Sequence, residues 1–575
     1  MRRILAAFSV VLLFGQASSS AQSPIQYRFT FPEPEHHWMQ VEVTFDDLDA
    51  RPLELRMSRS SPGRYSLHDF AKNVYDVHAF APDGTELATA RPDASGWTVM
   101  DHGARLRVTY KVFGDRLDGT YLAIDPTHAH INMPAAVMWA RGLDDRPVTL
   151  SLTQPPNQQW QAATQLHATG ALAFTAPNLQ YLMDSPIEFG PIAIRQFSVD
   201  GRAFRFALHG AGGEALLGPF VADVEKIVRE EREIFGEYPI YEPGAYTFLA
   251  DYLPYADDDA MEHRNSAVVT SAGSLESDRD NLLEAVSHEF FHNWNVERIR
   301  PQSLEPFDLE RANVSAELWL AEGFTQYYGR LALSRAGLVD IGTTARTLAG
   351  FVTSVALSPA RLVRSVEDMS RMAPFTDGAR PIDRTNWSNT VISYYQAGGA
   401  VALALDLTLR DRSNGQQTLD DYMRAMWRVH GKPGGAREGY VDRPYSGADA
   451  EARLAEVTSD AAFAREFFSR YVRGHDVPDY ARLLLGAGLV LRKQDPGTPW
   501  WGDVRFDARD GTVRVAVPPS ADSPLYLAGL DLGDQLLQVD GARMSSIADV
   551  NAALLRHRPD DRLTVVLADR SGRSR

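Results

Sequence analysis

Apolar and polar positions change period along the chain, and the changes mark out its parts. Gln40-Val41-Glu42-Val43-Thr44-Phe45 and Ala104-Arg105-Leu106-Arg107-Val108-Thr109-Tyr110-Lys111-Val112 alternate with a period of two, the pattern of half-buried strands. Pro and Gly clusters separate such runs, so residues 22–202 are expected to form an N-terminal β domain, a sandwich or a saddle-like sheet. From about 204 strands give way to helix, including Leu217 to Phe235. Leu283, Val286, Phe290 and Trp294 then recur at spacings of three and four, as do Leu318, Phe324, Tyr328 and Leu331, which predicts two helices with inward faces. Residues 203–335 therefore read as a mixed unit and 336–482 as its helical extension, with a mostly buried helix over 400–409. Residues 483–575 return to short β runs. Asp540-Gly541 is a hairpin signal, and a helix is expected over Ile547 to Arg556. The expected fold class is multidomain α+β.

The first of the two helices carries His288-Glu289-Phe290-Phe291-His292, an H-E-x-x-H motif. On a helix, side chains four apart share a face, so His288 and His292 can bind one zinc ion together. Glu289 stands beside the first ligand and can take a proton from the attacking water. Catalytic zinc needs a third protein ligand and an open fourth position. Glu322 on the second helix is the leading candidate, and Glu317 is its rival. Five residues turn a helix by about 500°, so only one of the two can face the metal. The other is free to accept a hydrogen bond from a ligand histidine or to lie exposed on the helix.

At this point a resemblance becomes visible. His-Glu-Phe-Phe-His-Asn-Trp-Asn-Val-Glu-Arg-Ile-Arg-Pro (288–301), Pro306-Phe307-Asp308-Leu309 and Glu322-Gly323-Phe324-Thr325-Gln326-Tyr327-Tyr328 resemble the glycyl aminopeptidase family of gluzincin metallopeptidases, which carry a C-terminal PDZ domain. Ser61-Pro62-Gly63-Arg64-Tyr65 and Asp69-Phe70-Ala71-Lys72-Asn73-Val74 are similar to that family's N-terminal β domain. The resemblance spans nearly the whole chain after residue 21. It implies a thermolysin-like catalytic domain over 203–335, one zinc ion per chain held by His288, His292 and Glu322, and release of small first residues, Gly or Ala, from peptides with a free N-terminus. Asp259-Ala260-Met261-Glu262-His263 resembles the family's G-G-x-E-H segment, which implies that Glu262 binds the substrate's α-ammonium. Asp259 departs from that pattern by bringing a side chain and a negative charge. Tyr394-Tyr395-Gln396-Ala397-Gly398 resembles the Y-x-K-G segment of these peptidases. That likeness implies Tyr395, with Tyr394 as fallback, as the hydroxyl that stabilises the oxyanion, and Ala397 replaces the family's Lys. Ser523–Gly541 is similar to PDZ domains of bacterial periplasmic proteases, which bind chain ends by adding a strand to a sheet edge. Gly486-Ala487-Gly488-Leu489 is the candidate carboxylate loop of that domain. An endopeptidase, or a peptide-binding PDZ protein with a residual metal site, are the alternatives.

Composition changes this picture only at its margins. With 44% hydrophobic and 23% charged residues the chain is an ordinary globular protein. Its net charge of −17, without a basic tract, argues against nucleic-acid partners. The chain has no Cys, hence neither disulfides nor thiol catalysis. Met1-Arg2-Arg3, the apolar run Ile4–Phe14 and Ser19-Ser20-Ala21 read as a secretory signal peptide over 1–21. This predicts a periplasmic or extracellular protein, and no later stretch is long and apolar enough to span a membrane.

Overall fold

The computed structural model describes residues 22–210, 213–376 and 386–575, so the signal reading over 1–21 lies outside the described residues. The chain is a mixed α+β, multidomain protein with a β-rich N-terminal part and a largely helical part beyond it. The alternating runs form strands as their period dictates. Trp38–Phe45 lies between Ile25–Glu33 and Leu106–Phe113 in an eight-stranded sheet, Val41 opposite both Phe29 and Tyr110. Two four-stranded sheets complete this part. One of them carries Ala129–Ile131 paired antiparallel with Ile187–Gly190, His130 opposite Glu188.

A five-stranded sheet follows, in the order Ala193–Val199, Arg202–Gly210, Ala245–Tyr252, Ser266–Ser271, Asp259–His263. The expected division at 202/203 falls inside its first hairpin, where Val199 pairs with Arg202. The period-two pattern runs through both sheets without a break, so it cannot tell which sheet a strand joins. Asp259–His263 is the outer strand and pairs only with Ser266–Ser271, Glu262 opposite Ala267.

Helix Arg279–Phe291 packs under this sheet through Leu282, Leu283, Val286 and Phe290, all buried. Trp294, expected on the same helix, lies just past its end and stacks on Phe235 with ring centroids 4.7 Å apart. The second expected helix is two helices, Leu318–Ala321 and Gly323–Arg335, which meet at Glu322. Helix Tyr394–Ser413 crosses them so closely that a Cβ on Gly398 would lie 2.1 Å from the Trp319 carbonyl oxygen, and one on Gly323 2.3 Å from the Gly398 Cα. Only glycines allow this approach.

The apolar stretch 400–409 is buried, as expected. Its one charged residue, Asp406, accepts hydrogen bonds from the Tyr327 hydroxyl (2.9 Å) and the Leu419 amide (2.9 Å). The expected start of the last unit at 483 cuts helix Tyr480–Gly486, whose Leu483 and Leu484 belong to the core of the catalytic part. Gly486-Ala487-Gly488-Leu489 thus closes that helix and does not join the C-terminal sheet. That sheet comprises Arg505–Arg509, Thr512–Val517, Gln535–Val539, Ala542–Arg543 and Val565–Ala568, with helix Ile547–Leu554 and a core of its own. Asp540 (φ 49°) and Gly541 (φ 80°) form the expected tight turn. Among the described residues no helix is long and apolar enough to cross a membrane.

Candidate active site

The helix delivers its two histidines as the i, i+4 spacing requires. His292 is the C-terminal cap and still right-handed helical (φ −60°, ψ −20°). The two Nε2 atoms lie 3.1 Å apart. Glu322 Oε2 is 3.2 Å from His292 Nε2 and 3.8 Å from His288 Nε2. His292 Nδ1 donates to the Asn295 carbonyl (2.6 Å), which leaves Nε2 with a lone pair aimed at the other two donors. Asn295 in turn donates to the carbonyls of Leu320 (2.9 Å) and Ala321 (3.0 Å). The loop after the motif is thereby tied to the turn that presents Glu322.

Two imidazole lone pairs and a carboxylate converging at these separations repel one another unless a cation sits between them. Ligands about 2.0–2.2 Å from a tetrahedral zinc stand roughly 3.3 Å apart, so the three donors fit that ion. Glu317 is elsewhere. It caps Leu318–Ala321 and accepts from the amides of Ala316 (3.0 Å) and Gly447 (3.1 Å). The hydrogen-bond partner of His292 is a backbone carbonyl in its place.

Charge around the donors is strongly one-sided. Glu262, Glu289 and His292 each place one donor atom within 4.8 Å of the others, and both glutamates are buried. Burial pushes Glu289 up to about 8 against the pull of His292, and pushes Glu262 well above the ordinary carboxylate range. Glu262, Glu289 and Glu322 are all buried, so their ionised forms need cations close by. A dication and one ammonium offset those charges.

The N-terminal domain completes the site, through a residue that motif reasoning did not single out. The Tyr65 hydroxyl donates to Glu322 Oε1 (2.5 Å), and its ring meets Tyr394 edge-on with centroids 6.0 Å apart. Its only sequence signal is its place in Ser61–Tyr65. Gly63 precedes it with φ 76°, and a Cβ there would lie 2.0 Å from Met261 Sδ and 3.0 Å from Glu262 Oε2. Arg64 pairs with Asp259, which also accepts from the Gly119 amide (3.0 Å). Asp259 is therefore neutralised and borders an open polar cleft of about 570 Å³ with Arg64, His68 and Tyr121. It does not add its charge to that of Glu262.

Glu262 faces a different and smaller cavity, of about 40 Å³, lined by Gly63, Tyr65, Val296, Leu304 and Phe307 among others. Glu297 and Arg300 close one side of it as an ion pair (2.7 Å). Tyr395 is half-buried, its ring 5.9 Å from that of His288, while Tyr394 is buried against Tyr65. Ala397 is buried within the same apolar cluster as Tyr65, Val296 and Leu318, surroundings that favour a small apolar residue over a Lys.

Comparison with known proteins agrees with this geometry. Residues 26–191 match the Peptidase M61 N-terminal domain and residues 281–401 match the M61 glycyl aminopeptidase family. No curated protein matches significantly. The crystal structure of an aminopeptidase N family protein from Idiomarina loihiensis has the same fold. It is 23% identical, with a TM-score of 0.82 over 95% of this chain and 94% of that one. An M1 zinc metallopeptidase from Deinococcus radiodurans is more distant, 16% identical with a TM-score of 0.46 over 80% of this chain and 95% of that one. The two matches identify the N-terminal and peptidase domains of the M61 glycyl aminopeptidase family in this chain.

Proposed function

We propose that this zinc aminopeptidase releases single small residues, Gly or Ala, from peptides with a free N-terminus, and that Glu262 counts from the chain end. The observation that carries the reading is the placement of Glu262, within 4.8 Å of Glu289 and His292 and at the wall of a cavity of about 40 Å³. One water needs roughly 10–15 Å³ of such space, so about three water-sized groups fit, enough for a small side chain and short of the longest ones. A carboxylate fixed there pairs with one ammonium and sets the scissile bond one residue away.

His288, His292 and Glu322 would hold the zinc, which when bound lowers the pKa of a water and polarises a carbonyl. Glu289 accepts the proton of the attacking water and delivers it to the leaving amine. Its buried carboxylate has a high proton affinity, which suits that return step. Tyr395 donates to the developing oxyanion, a role supported by its half-buried position beside His288. Tyr65 holds Glu322 in place through its hydroxyl.

The same reading takes Met1–Ala21 as an export signal to the periplasm. It takes residues from about 500 onward as a PDZ-like module that holds peptide chain ends, supported by a separate core and the Asp540-Gly541 hairpin.

Gly- and Ala-arylamides assayed beside their N-acetylated forms test the central claim, with chelator and Glu289→Gln controls. Cleavage of free-amine substrates alone is expected. Equal cleavage of acetylated substrates would make the enzyme an endopeptidase and remove the role given to Glu262.

A further inference from the structure

A second group of metal-binding residue types lies away from the active site, where the N-terminal domain meets the catalytic sheet. His128 lies just before strand Ala129–Ile131 of the four-stranded sheet, Glu188 lies in the neighbouring strand Ile187–Gly190, and His209 and Asp251 hold facing positions on Arg202–Gly210 and Ala245–Tyr252. Each offers one donor atom, and the four atoms lie within 4.8 Å of one another. Exposure is 0% for His128 and Glu188, 1% for Asp251 and 7% for His209.

Several of these atoms lack the partners that burial demands. His128 Nε2, Glu188 Oε1, His209 Nδ1 and Asp251 Oδ1 have no hydrogen bond among the described residues, and Asp251 Oδ2 has only an ion-pair contact with His130. His209 Nδ1 and Asp251 Oδ1 are 3.4 Å apart, in contact without hydrogen-bond geometry. A carboxyl or imidazole left this way costs several kcal/mol, roughly, unless a cation or donor reaches it.

The surroundings orient the set. His128 Nδ1 lies 3.2 Å from the Thr127 hydroxyl and 3.4 Å from Asp125 Oδ1. With a proton on Nδ1, held by the Asp125 carboxylate, Nε2 carries the lone pair. His130 Nδ1 stands 3.2 Å from both Glu188 Oε2 and Asp251 Oδ2, so it braces the two carboxylates from behind and leaves their other oxygens to the cluster. This is how outer partners hold metal ligands. Gly190 makes room, since a Cβ there would lie 2.9 Å from the His128 Cβ.

We propose that His128, Glu188, His209 and Asp251 form a second, closed site for a divalent transition-metal ion, zinc foremost, which fastens the N-terminal β domain to the catalytic sheet. Two imidazoles and two carboxylates suit zinc and its first-row neighbours. Calcium takes six to eight oxygens and magnesium near-ideal octahedral oxygen coordination, and the cluster offers neither. Four protein ligands leave no position for a substrate, so the ion is structural. The expected single zinc per chain then accounts for the active site alone.

Metal analysis of the full chain tests this without disturbing the cluster. The double variant His288→Ala, Glu322→Ala empties the catalytic centre. After dialysis it is expected to retain one equivalent of zinc. Crystals of that variant should show one zinc anomalous peak, among His128, Glu188, His209 and Asp251. Adding His128→Asn and Glu188→Gln should remove the ion and lower Tm. No retained metal in the first variant overturns the proposal, as does an anomalous peak elsewhere. If the second variant fails to fold, the anomalous peak still decides. Should the active-site donors not bind zinc, the wild-type chain carries one equivalent instead of two, and the two readings fail separately.

Discussion

The donors at His288, His292 and Glu322 come from helices and reach solvent, His288 keeping 13% of its side chain exposed. Those at His128, Glu188, His209 and Asp251 come from strands or strand ends on two sheets, and the His128 and Glu188 side chains have no exposure at all. The donor types are nearly the same. What differs is the company they keep. The first cluster has three candidate ligands and two further carboxylates close by, Glu289 and Glu262, to which we assign the proton and the ammonium respectively. The second offers four candidate ligands and a bracing histidine, His130. Catalysis needs an open position and nearby titratable groups, whereas cross-linking needs neither. Access and ligand count therefore tell more about a cluster's task than ligand identity does.

The contrast can be broken in order of expected effect. A chelator at neutral pH should abolish peptidase activity while the buried ion stays with the folded chain. Metal content and activity followed together would show one equivalent leaving first, and simultaneous loss of both would end the distinction of access. Glu289→Gln should lower kcat by about 10²–10⁴-fold, the usual worth of general acid–base catalysis, with zinc content unchanged. A fall of only a few-fold would assign proton transfer to another group. Glu262→Gln should cut kcat/KM on free-amine substrates by roughly 10–100-fold, the worth of a hydrogen bond to a charged group, and leave acetylated substrates untouched. Tyr65→Phe should weaken zinc binding by about 10–100-fold, read by chelator competition, and unchanged affinity would make Tyr65 only a packing residue. Gly398→Ala should destabilise the chain by about 1–3 kcal/mol in denaturant titration, because its methyl meets the Trp319 carbonyl.

Much of the active site was legible in sequence because its parts are local. His288, Glu289 and His292 lie within five residues, and helical phase separates Glu322 from Glu317. Glu262 and Tyr395 were reached through resemblance, since nothing in their own spacing points to a metal. Tyr65 escaped because a single phenol near an Arg has no periodic signature, and its contact to Glu322 spans 257 residues. The buried cluster escaped for the same reason, as its ligands are scattered over strands that meet only in the folded chain. Its one local trace is His128-Ala129-His130, whose alternation puts both rings on one face of a strand. The expected domain limits fall where regular structure runs on, at the Val199–Arg202 hairpin and within helix Tyr480–Gly486.

The loop Gly63-Arg64-Tyr65 reaches from the first domain to Asp259 and Glu322 in the second, with no spare room at Gly63. Neither half can drift in shape without the other answering. The two are poor candidates for exchange by recombination, and a catalytic fragment beginning at Ala193 would fold, if at all, as an enzyme missing a wall. Until both domains have been made and have docked, Glu322 lacks its Tyr65 brace and Glu262 lacks the Gly63 and Tyr65 side of its cavity.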